Sequence, residues 1–414
     1  MSPRTEVSGS ATARTLSVLR RIPPGIWALG LVSMLMDVSS EMIHALLPVY
    51  LVSVLGVSAI AVGLIEGIAE STAAITKVFS GALSDWLGRR KLLVAIGYGL
   101  AAFTKPVFPL AGTVGWVITA RFVDRIGKGI RGAPRDALIA DLAPAALRGA
   151  SFGLRQSLDT AGAFLGPALA IALMWLTADN IPLVFWFAVL PAFAAFALVV
   201  FGVHDVPGDR EMRRVRAPLS RAGLARLPPL YWGVVAIAAV FTLARFSEAF
   251  LVLRAQELGL ALALIPLVLV VMNVVYALSS YPIGVLADRF DRGTLLALGV
   301  VVLVLSDVAL AFVGGLAGLA LGVVLWGLHM GMTQGLLAAL VADAAPANLR
   351  GTAYGLFNLV SGLALLAASV VAGGLWDAFG SRATFLAGAG FAIVALLALV
   401  PVAQRVRRNR PVQD

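Results

Sequence analysis

Twelve long apolar segments run through the chain, and they constrain its fold more than any other feature. They fall at about 24–52, 58–83, 92–113, 115–141, 150–177, 181–203, 230–257, 263–286, 294–313, 316–343, 352–376 and 380–404. A helix needs about 20 mostly apolar residues to cross a bilayer, and each segment supplies them. The chain is 60% hydrophobic and 13% charged, whereas soluble domains carry about 25% charged residues. The sequence therefore predicts an all-α membrane protein with 12 transmembrane helices.

The two halves of the chain repeat one another at a nearly constant offset. The matching pairs are LIADLAPAALRG (138–149) with LVADAAPANLRG (340–351), GALSD (81–85) with GVLAD (284–288), and SFGL (151–154) with AYGL (353–356). Ser40-Glu41 is similarly matched by Ser247-Glu248. A duplicated six-helix unit in parallel orientation accounts for this spacing, so we expect two pseudo-symmetric six-helix bundles.

Polar stretches divide the chain into five parts. These are a cytoplasmic N-terminal tail at 1–23, an N-terminal bundle at 24–203, a cytoplasmic linker at 204–229, a C-terminal bundle at 230–404 and a cytoplasmic C-terminal tail at 405–414. Arginines crowd the linker and the C-terminal tail. Because loops rich in arginine and lysine stay in the cytoplasm, we expect both termini there, in a bacterial-type inner membrane.

The composition argues against several function classes. With no cysteine, the chain has neither a disulfide nor a thiolate metal site. Its net charge of +10 lies mostly in loops and tails, where topology and anionic lipid headgroups account for it better than nucleic acid does. The sequence contains no phosphate-binding loop and no nucleophile motif. We therefore expect a protein that is not an enzyme and uses no cofactor.

The loop after the second segment resembles motif A of the major facilitator superfamily. It reads GALSDWLGRRK (81–91), in which Gly81, Asp85, Gly88, Arg89 and Arg90 match the motif and Trp86 replaces a residue that is often basic. A degenerate copy at 284–293 keeps Asp288 and Arg289. A carboxylate at a helix end can pair with arginines or cap a neighbouring helix. The resemblance therefore implies a gate between the halves, although a topology signal alone is the alternative.

Two further stretches resemble motifs of this superfamily. ARFVDRIGKG (120–129) is similar to motif B, in which Arg121 matches and Arg125 stands where the family has a glycine. GAFLGP (162–167) is similar to motif C of antiporters through Gly162, Gly166 and Pro167, with Ala170 in place of the next glycine. The resemblance covers essentially the whole membrane region. It implies a secondary transporter, similar to bacterial drug/proton antiporters, that works by alternating access.

Ionisable residues inside the segments are the main functional candidates. A charge within a bilayer is costly and is kept where it pairs or lines a water-filled cavity. Acids and bases nearly balance in the first five segments, which favours an ion-pair network. The candidate members are Asp37, Glu41, Glu66, Glu70, Arg121, Asp124, Arg125, Lys128 and Asp159.

Two pairs of carboxylates stand one helical turn apart in this set. Such carboxylates repel each other when both are ionised, so one of each pair is expected to hold a proton near neutral pH. We predict that Asp37 and Glu41 are the leading proton sites, that Glu66 or Glu70 comes next, and that Arg121 is the counter-charge. Static ion pairs that only hold helices together are the alternative.

The second half carries fewer buried charges, which suggests that it selects the substrate by shape. Arg245 and Glu248 either pair with each other or face the cavity opposite Glu41, and Asp307 stands alone. The cavity candidates are Arg245, Glu248, Asn273, Tyr276, Trp326, Gln334 and Asn358. For any one of these residues, packing or lipid contact is the commoner role.

Several functions remain open at this point. Met42, His44, His329 and Met330 have side chains suited to copper, but methionine is an ordinary core filler, so packing is favoured. The leading interpretation is a monomeric, proton-coupled antiporter in contact with membrane lipids that exports a small polar or charged organic solute or drug. The alternatives are an importer or symporter of an organic anion or of a metal ion such as copper, and a non-transporting receptor on the same scaffold.

Overall fold

The chain folds into a bundle of long helices. The computed structural model describes residues 21–87, 89–144, 147–204, 227–289, 291–345 and 350–408. No β-strand occurs within these ranges. Eleven of the helices are long and apolar enough to span a membrane. The prediction of an all-α, polytopic membrane protein is confirmed.

Six helices make up the first half. They are α1 (Pro24–Val54), α2 (Ala59–Leu87), α3 (Arg90–Leu110), α4 (Val114–Leu142), α5 (Arg148–Leu176) and α6 (Ile181–Gly202). Helix α4 is not among the eleven apolar helices because it carries several charged residues. Of these, Arg121, Asp124 and Arg125 are buried, so they face other helices and not lipid.

Six further helices make up the second half. They are α7 (Pro229–Glu257), α8 (Leu267–Arg289), α9 (Arg292–Phe312), α10 (Gly315–Ala344), α11 (Arg350–Phe379) and α12 (Ser381–Arg408). A short 3-10 turn, Leu262–Leu264, precedes α8. The predicted tails and linker lie largely outside the described residues, and the five-part division of the chain stays a prediction. Helix α12 continues past the predicted boundary at 404.

Three of the spanning helices are interrupted. Helix α1 is regular over Pro24–His44 and then continues through Leu47–Val49 into a π-helical turn, Tyr50–Val54. Helix α3 breaks between Arg90–Thr104 and Val107–Leu110. Pro48 and Pro106 lack the amide hydrogen that an unbroken helix would need there, which accounts for both breaks.

The third interruption has no proline. Helix α7 stops at Ala244 and resumes at Ala249. Side chains satisfy the backbone amides freed by the break, since the Ser247 amide donates to Ser369 Oγ and the Ala249 amide donates to Ser247 Oγ. Irregular backbone is tolerated at membrane depth when protein or a cavity surrounds it.

The two halves meet along two helix pairs, α2 with α11 and α5 with α8. A β-carbon added at Gly67 would lie 2.8 Å from the Leu366 side chain, so α2 and α11 approach closely. Ser71 Oγ donates to the Gly362 carbonyl at 2.6 Å across the same pair. Small residues let the two helices approach closely. Such close packing stabilises helix pairs in lipid, where the hydrophobic effect does not favour contact between helices.

The halves are also tied together on the side away from the N-terminal end of α1 and the C-terminal end of α12, which we call the distal side. Gln256 Nε2 donates to Ser53 Oγ at 2.5 Å. Both Asp377 carboxylate oxygens accept from the first amides of α2, those of Ala59 and Ile60, at 2.9 Å each. A carboxylate from one half therefore caps a helix of the other half.

Candidate functional site

A cavity of about 490 Å³ lies between the two halves. Its wall from the first half includes Glu41, His44, Glu66, Glu70, Arg125 and Lys128. Its wall from the second half includes Phe241, Arg245, Phe246, Glu248, Gln334, Phe357 and Asn358. A cavity with charges of both signs and aromatic side chains at the junction of two bundles is the expected place for a transported molecule.

A chain of charges joins three helices on one wall of this cavity. Arg121 Nη2 of α4 donates to Glu66 Oε2 of α2 at 2.7 Å, with side chains only 2% and 1% exposed. His44 Nε2 of α1 lies 3.7 Å from the same Glu66 oxygen, and His44 Nδ1 lies 3.4 Å from Glu41 Oε2. The imidazole therefore bridges two glutamates. Histidine is the side chain that gains and loses a proton near neutral pH.

A second arm of the network runs behind this wall. Arg125 Nη1 lies 3.2 Å from Glu70 Oε1, and its Nε lies 3.4 Å from Asp124 Oδ2. Lys105 Nζ donates at 3.0 Å both to Asp124 Oδ1 and to Ser40 Oγ. Each buried charge in this arm has a partner of opposite sign, which offsets the cost of removing it from water.

A third group of charges lies nearer the N-terminal end of α1. Arg155 pairs with Asp159, and Arg135 pairs with Asp136 at 3.2 Å. Asp37 has no ion-pair partner within 4 Å among the described residues, and it is not part of the cavity wall. The charged groups that act on it include Asp159 and Arg131. The structure therefore separates Asp37 from Glu41, which the sequence analysis had paired as leading proton sites.

Arg121 pairs with one of the carboxylates for which it was predicted as the counter-charge. Its ion pair is with Glu66, and not with the leading candidates Asp37 and Glu41. The reason is geometric, since the Glu66 carboxylate reaches the Arg121 guanidinium from α2. On α1, the nearest basic partner of Glu41 is His44, one helical turn away. Helical spacing in the sequence shows which residues share a helix face. It does not show which residue of a neighbouring helix each of them contacts.

The interrupted turn of α7 brings Arg245 and Glu248 to the cavity wall. Neither residue has an ion-pair partner within 4 Å in the part of the chain that the structure describes, so they do not form the pair that was one of two expectations. The charged group that acts most strongly on Glu248 is nevertheless Arg245, followed by His44, Glu41 and Glu70 of the first half. These two residues therefore line the cavity near each other without a direct ion pair.

The other cavity candidates divide into two groups. Gln334 and Asn358 line the cavity, and Tyr276 OH lies 3.0 Å from Gln334 Oε1. Asn273 Nδ2 instead donates to the Ala163 carbonyl at 3.4 Å, which joins α8 to α5. Trp326 is 0% exposed and packs against Phe246 with a ring separation of 5.6 Å. Trp326 therefore lies one layer behind the cavity wall, because Phe246 stands in front of it.

The glycines of the motif C stretch bring α5 against α1 beside the network. A β-carbon at Gly162 would lie 2.9 Å from Asp37 Cβ, and one at Gly166 would lie 2.6 Å from Glu41 Cβ. Pro167 lies inside α5. These glycines are thus required for close packing at the level of the acidic residues of α1.

The predicted gate is described only in part. Gly88 lies outside the described residues, as do the side chains of Asp85, Asp288 and Arg289. Gly81 faces Ala133 of α4, and Arg89 is exposed before the start of α3. Arg90 Nη1 pairs with Asp141 Oδ2 at 2.5 Å, which ties α3 to α4 within the first half. The gating role of these residues stays a prediction.

The methionines and histidines considered for copper take other roles. Met42 and Met330 belong to the hydrophobic core. His44 is engaged with two glutamates, and His329 Nδ1 bonds to the Gly299 carbonyl at 2.8 Å. Within the described residues, no group of three or more histidine, aspartate or glutamate side chains is arranged to hold a metal ion.

Sequence reasoning missed two members of the network. His44 was considered only as a metal ligand or a packing residue, although its place three residues after Glu41 marks the same helix face. Lys105 was not among the candidates, and it holds Asp124 behind the wall. The neighbouring proline, Pro106, is a visible signal that the regular part of α3 ends beside this lysine.

Comparisons with known proteins agree with this architecture. The family model described as Major Facilitator Superfamily matches residues 29–369 and 249–413. An uncharacterized MFS-type transporter of Methanocaldococcus jannaschii is 33% identical over 387 residues, which covers 92% of this chain and 95% of that protein. The quinolone resistance protein NorA of Staphylococcus aureus is 28% identical over 159 residues, or 38% of this chain and 40% of that protein.

Solved structures share the fold at low sequence identity. One is a POT family transporter in complex with 5-aminolevulinic acid, with a TM-score of 0.78 and 13% identity. The match covers 93% of this chain and 97% of that one. At this identity, the likeness concerns the fold.

Proposed function

We propose that this chain, which belongs to the major facilitator superfamily, is a proton-coupled antiporter that exports a small charged organic solute. Membership of the superfamily makes it a membrane transporter.

The observation that carries the proposal is the bridge of His44 between Glu41 and Glu66 at the cavity wall. These groups are in contact with the space where a solute would sit, and Arg121 holds Glu66 from behind at 2.7 Å. A proton on His44 and a cationic group of a solute would compete for the same two carboxylates. Binding of the solute then releases a proton, and protonation releases the solute, which is the requirement for antiport.

The charges of the cavity indicate the chemistry of the solute. Lys128 and Arg245 line the cavity and have no ion-pair partner within 4 Å among the described residues. They would attract an anionic or strongly polar group, while Glu41 and Glu66 would attract a basic nitrogen. Phe241 and Phe246 offer aromatic surface between them. We therefore propose a zwitterionic organic solute with an apolar body.

Two observations support export. The GAFLGP stretch of α5 resembles the antiporter motif, and its glycines pack against α1 beside Glu41. A stretch of the chain is similar to a protein named for quinolone resistance. Both are consistent with a protein that removes a solute from the cell.

The orientation in the membrane follows from the same proposal. The arginines of the linker and of the C-terminal tail would keep both termini in the cytoplasm of a bacterial-type inner membrane. The distal side would then face outward, and the ties formed by Asp377 and Gln256 would close the outer side of the cavity. We propose that one chain is the transporting unit, with protons, the solute and membrane lipids as its partners.

Proton release on binding tests the proposal with purified protein. Zwitterionic, cationic and anionic organic solutes are added to protein in weakly buffered detergent solution containing a pH dye, and binding is followed in parallel by calorimetry. We expect a zwitterionic solute to bind and to release protons, and His44→Gln to bind it with little release. Binding without proton release from the wild type would overturn the coupling. Proton uptake would instead favour the importer alternative, in which proton and solute bind together.

A further inference from the structure

Four buried polar atoms on α9 and α10 have no hydrogen-bond partner in the part of the chain that the structure describes. They are both carboxylate oxygens of Asp307, Nε1 of Trp326 and Nε2 of His329. All three side chains are 0% exposed, and they lie on the packed helices α9 and α10. Buried polar atoms are nearly always satisfied, so a cluster of this kind calls for a physical account.

Asp307 differs from the acids of the network in the first half. Glu66 and Asp124 each have a basic partner within hydrogen-bond distance, whereas neither carboxylate oxygen of Asp307 has a hydrogen-bond partner among the described residues. An isolated ionised carboxylate in an apolar interior is far more costly than a neutral carboxylic acid. Asp307 is therefore stable in this position as the protonated acid.

The charged and titratable groups on the neighbouring helices do not provide a counter-charge. On α10, His329 Nδ1 bonds to the Gly299 carbonyl at 2.8 Å. Because a carbonyl only accepts, Nδ1 carries the hydrogen, and Nε2 of the neutral ring is a bare acceptor. On α7, Arg245 acts on His329. On α12, Arg382 lies over the Phe312 ring, 4.2 Å from its centre.

The cluster lies one aromatic layer behind the central cavity. A β-carbon at Gly388 would lie 2.7 Å from Asp307 Oδ2 and 3.0 Å from the Phe246 ring, so these two groups meet at this point. The His329 ring lies 5.3 Å from the ring of Phe241. Phe241 and Phe246 both line the cavity. Phe246 belongs to the interrupted turn of α7, the part of the cavity wall without regular backbone hydrogen bonds.

We propose that Asp307 is a second proton-binding site of the transporter, closed off from the central cavity by Phe246. When the interrupted turn of α7 shifts, water reaches the carboxyl group, its O–H proton passes to that water, and the reverse step reloads it. The proposal rests on the proposed proton coupling and adds a site in the half that was expected to select the substrate by shape.

Infrared spectroscopy of the full chain in lipid tests the protonation directly, without any substrate. A protonated carboxyl group buried in an apolar site has a carbonyl stretching band separate from those of ionised carboxylates. We expect such a band at neutral pH in the wild type, its loss in Asp307→Asn, and its retention in Ser306→Ala, which changes only the neighbouring hydroxyl that donates to the Gly322 carbonyl. A band that survives in Asp307→Asn would overturn the assignment.

Exchange in heavy water tests the route to the cavity. The Asp307 band should shift slowly in the wild type and at least several-fold faster in Phe246→Ala, or in Phe246→Leu where the alanine variant does not fold. Phe385→Ala is the matched control, since Phe385 also packs against Phe246, with ring centroids 5.6 Å apart, but does not line the cavity. Equal exchange rates in all variants would overturn the proposal that Phe246 separates Asp307 from the central cavity. Neither measurement needs transport. A negative result for the Asp307 site can therefore be told apart from a failure of the antiport proposal.

Discussion

Glu66 and Arg121 show how strongly the network depends on single side chains. Their carboxylate and guanidinium are almost wholly buried, so neither can be hydrated when the other is lost. Removing one partner of a buried pair costs about 3–5 kcal/mol, because the remaining charge is left uncompensated. We expect Glu66→Gln to lower the free energy of unfolding by about this amount, measured by chemical denaturation in detergent.

The control for this change is Glu257→Gln. Glu257 pairs with Arg254 at 2.8 Å, but its side chain is 44% exposed. An exposed pair contributes about 0–1 kcal/mol, so this variant should unfold nearly as the wild type does. Equal losses in the two variants would mean that burial of the Glu66 pair does not determine its contribution.

His44 should set the pH dependence of binding. Below the pH at which His44 titrates, the imidazolium pairs with Glu41 and Glu66, and a basic solute has to displace it. Above that pH the imidazole is neutral, and both glutamates are available to the solute. Affinity for the solute should therefore rise as pH increases through the titration of the His44 imidazole. His44→Gln should flatten this dependence in a calorimetric titration series. His204→Gln is the control, since His204 is exposed beyond the end of α6, and a flat profile only in that variant would contradict the assignment.

At the residue scale, the sequence predicts which side chains are buried charges but not how they pair. Helical spacing correctly assigns Glu66, Arg121, Asp124 and Arg125 to the membrane interior. It cannot indicate that Glu66 reaches Arg121 while Asp124 turns to Lys105, because those choices depend on helix rotation and on where α3 ends. Partner choice is a property of the assembled bundle.

At the scale of the element, α5 has two glycines in contrasting surroundings. A β-carbon at Gly166 would lie 2.9 Å from the Val38 carbonyl as well as close to Glu41, whereas one at Gly153 would meet nothing within 4 Å. Overpacking costs about 1–3 kcal/mol, while alanine in an open helical position is favourable relative to glycine by about 0.5–1 kcal/mol. We expect Gly166→Ala to lower the thermal unfolding midpoint and Gly153→Ala to leave it unchanged or raise it.

Helix interruptions are the elements that the sequence predicts least well. Pro106 could have signalled the break in α3, and Pro48 the break in α1. The break in α7 over residues 245–248 has no proline, and the apolar pattern continues through it. It is held by Ser369 of α11, a residue far away in the sequence. An interruption stabilised by a tertiary contact is not encoded in the local pattern.

At the scale of the whole molecule, Asp377 joins the halves on the distal side. Loss of a helix cap costs about 0.5–2 kcal/mol, which would shift an equilibrium between closed and open distal sides by roughly 2- to 30-fold. We expect Asp377→Ala to increase the distal-open population. Because the chain has no cysteine, spin labels can be placed at Gly112 and Ala261, and the distance between them measured by pulsed electron resonance.

Asp291→Ala is the matched control for this change. Asp291 also caps a helix, since its Oδ2 accepts from the Thr294 amide at 2.9 Å, but both residues belong to the second half. Its loss should leave the distribution of distances as it is in the wild type. Equal broadening in both variants would indicate a general loss of stability and not a tie between the halves.

The overall architecture could be predicted from the sequence more completely than the helix interruptions or the ion pairs. Twelve apolar segments and an internal repeat suffice for two six-helix bundles, because lipid leaves helices as nearly the only choice for an apolar chain of this kind. The motifs led to the family. The cavity between the halves follows from that fold, but its combination of paired and unpaired charges depends on the breaks in α1 and α7.

Gradient-driven transport in proteoliposomes is the decisive test of proton-coupled antiport. Vesicles loaded with acid and containing the protein are mixed with a zwitterionic solute found in the binding screen, while solute uptake and internal pH are recorded together. The account predicts that the solute accumulates as protons leave, and that His44→Gln loses the dependence on the gradient. Movement of proton and solute in the same direction, or solute binding without any turnover, would contradict it.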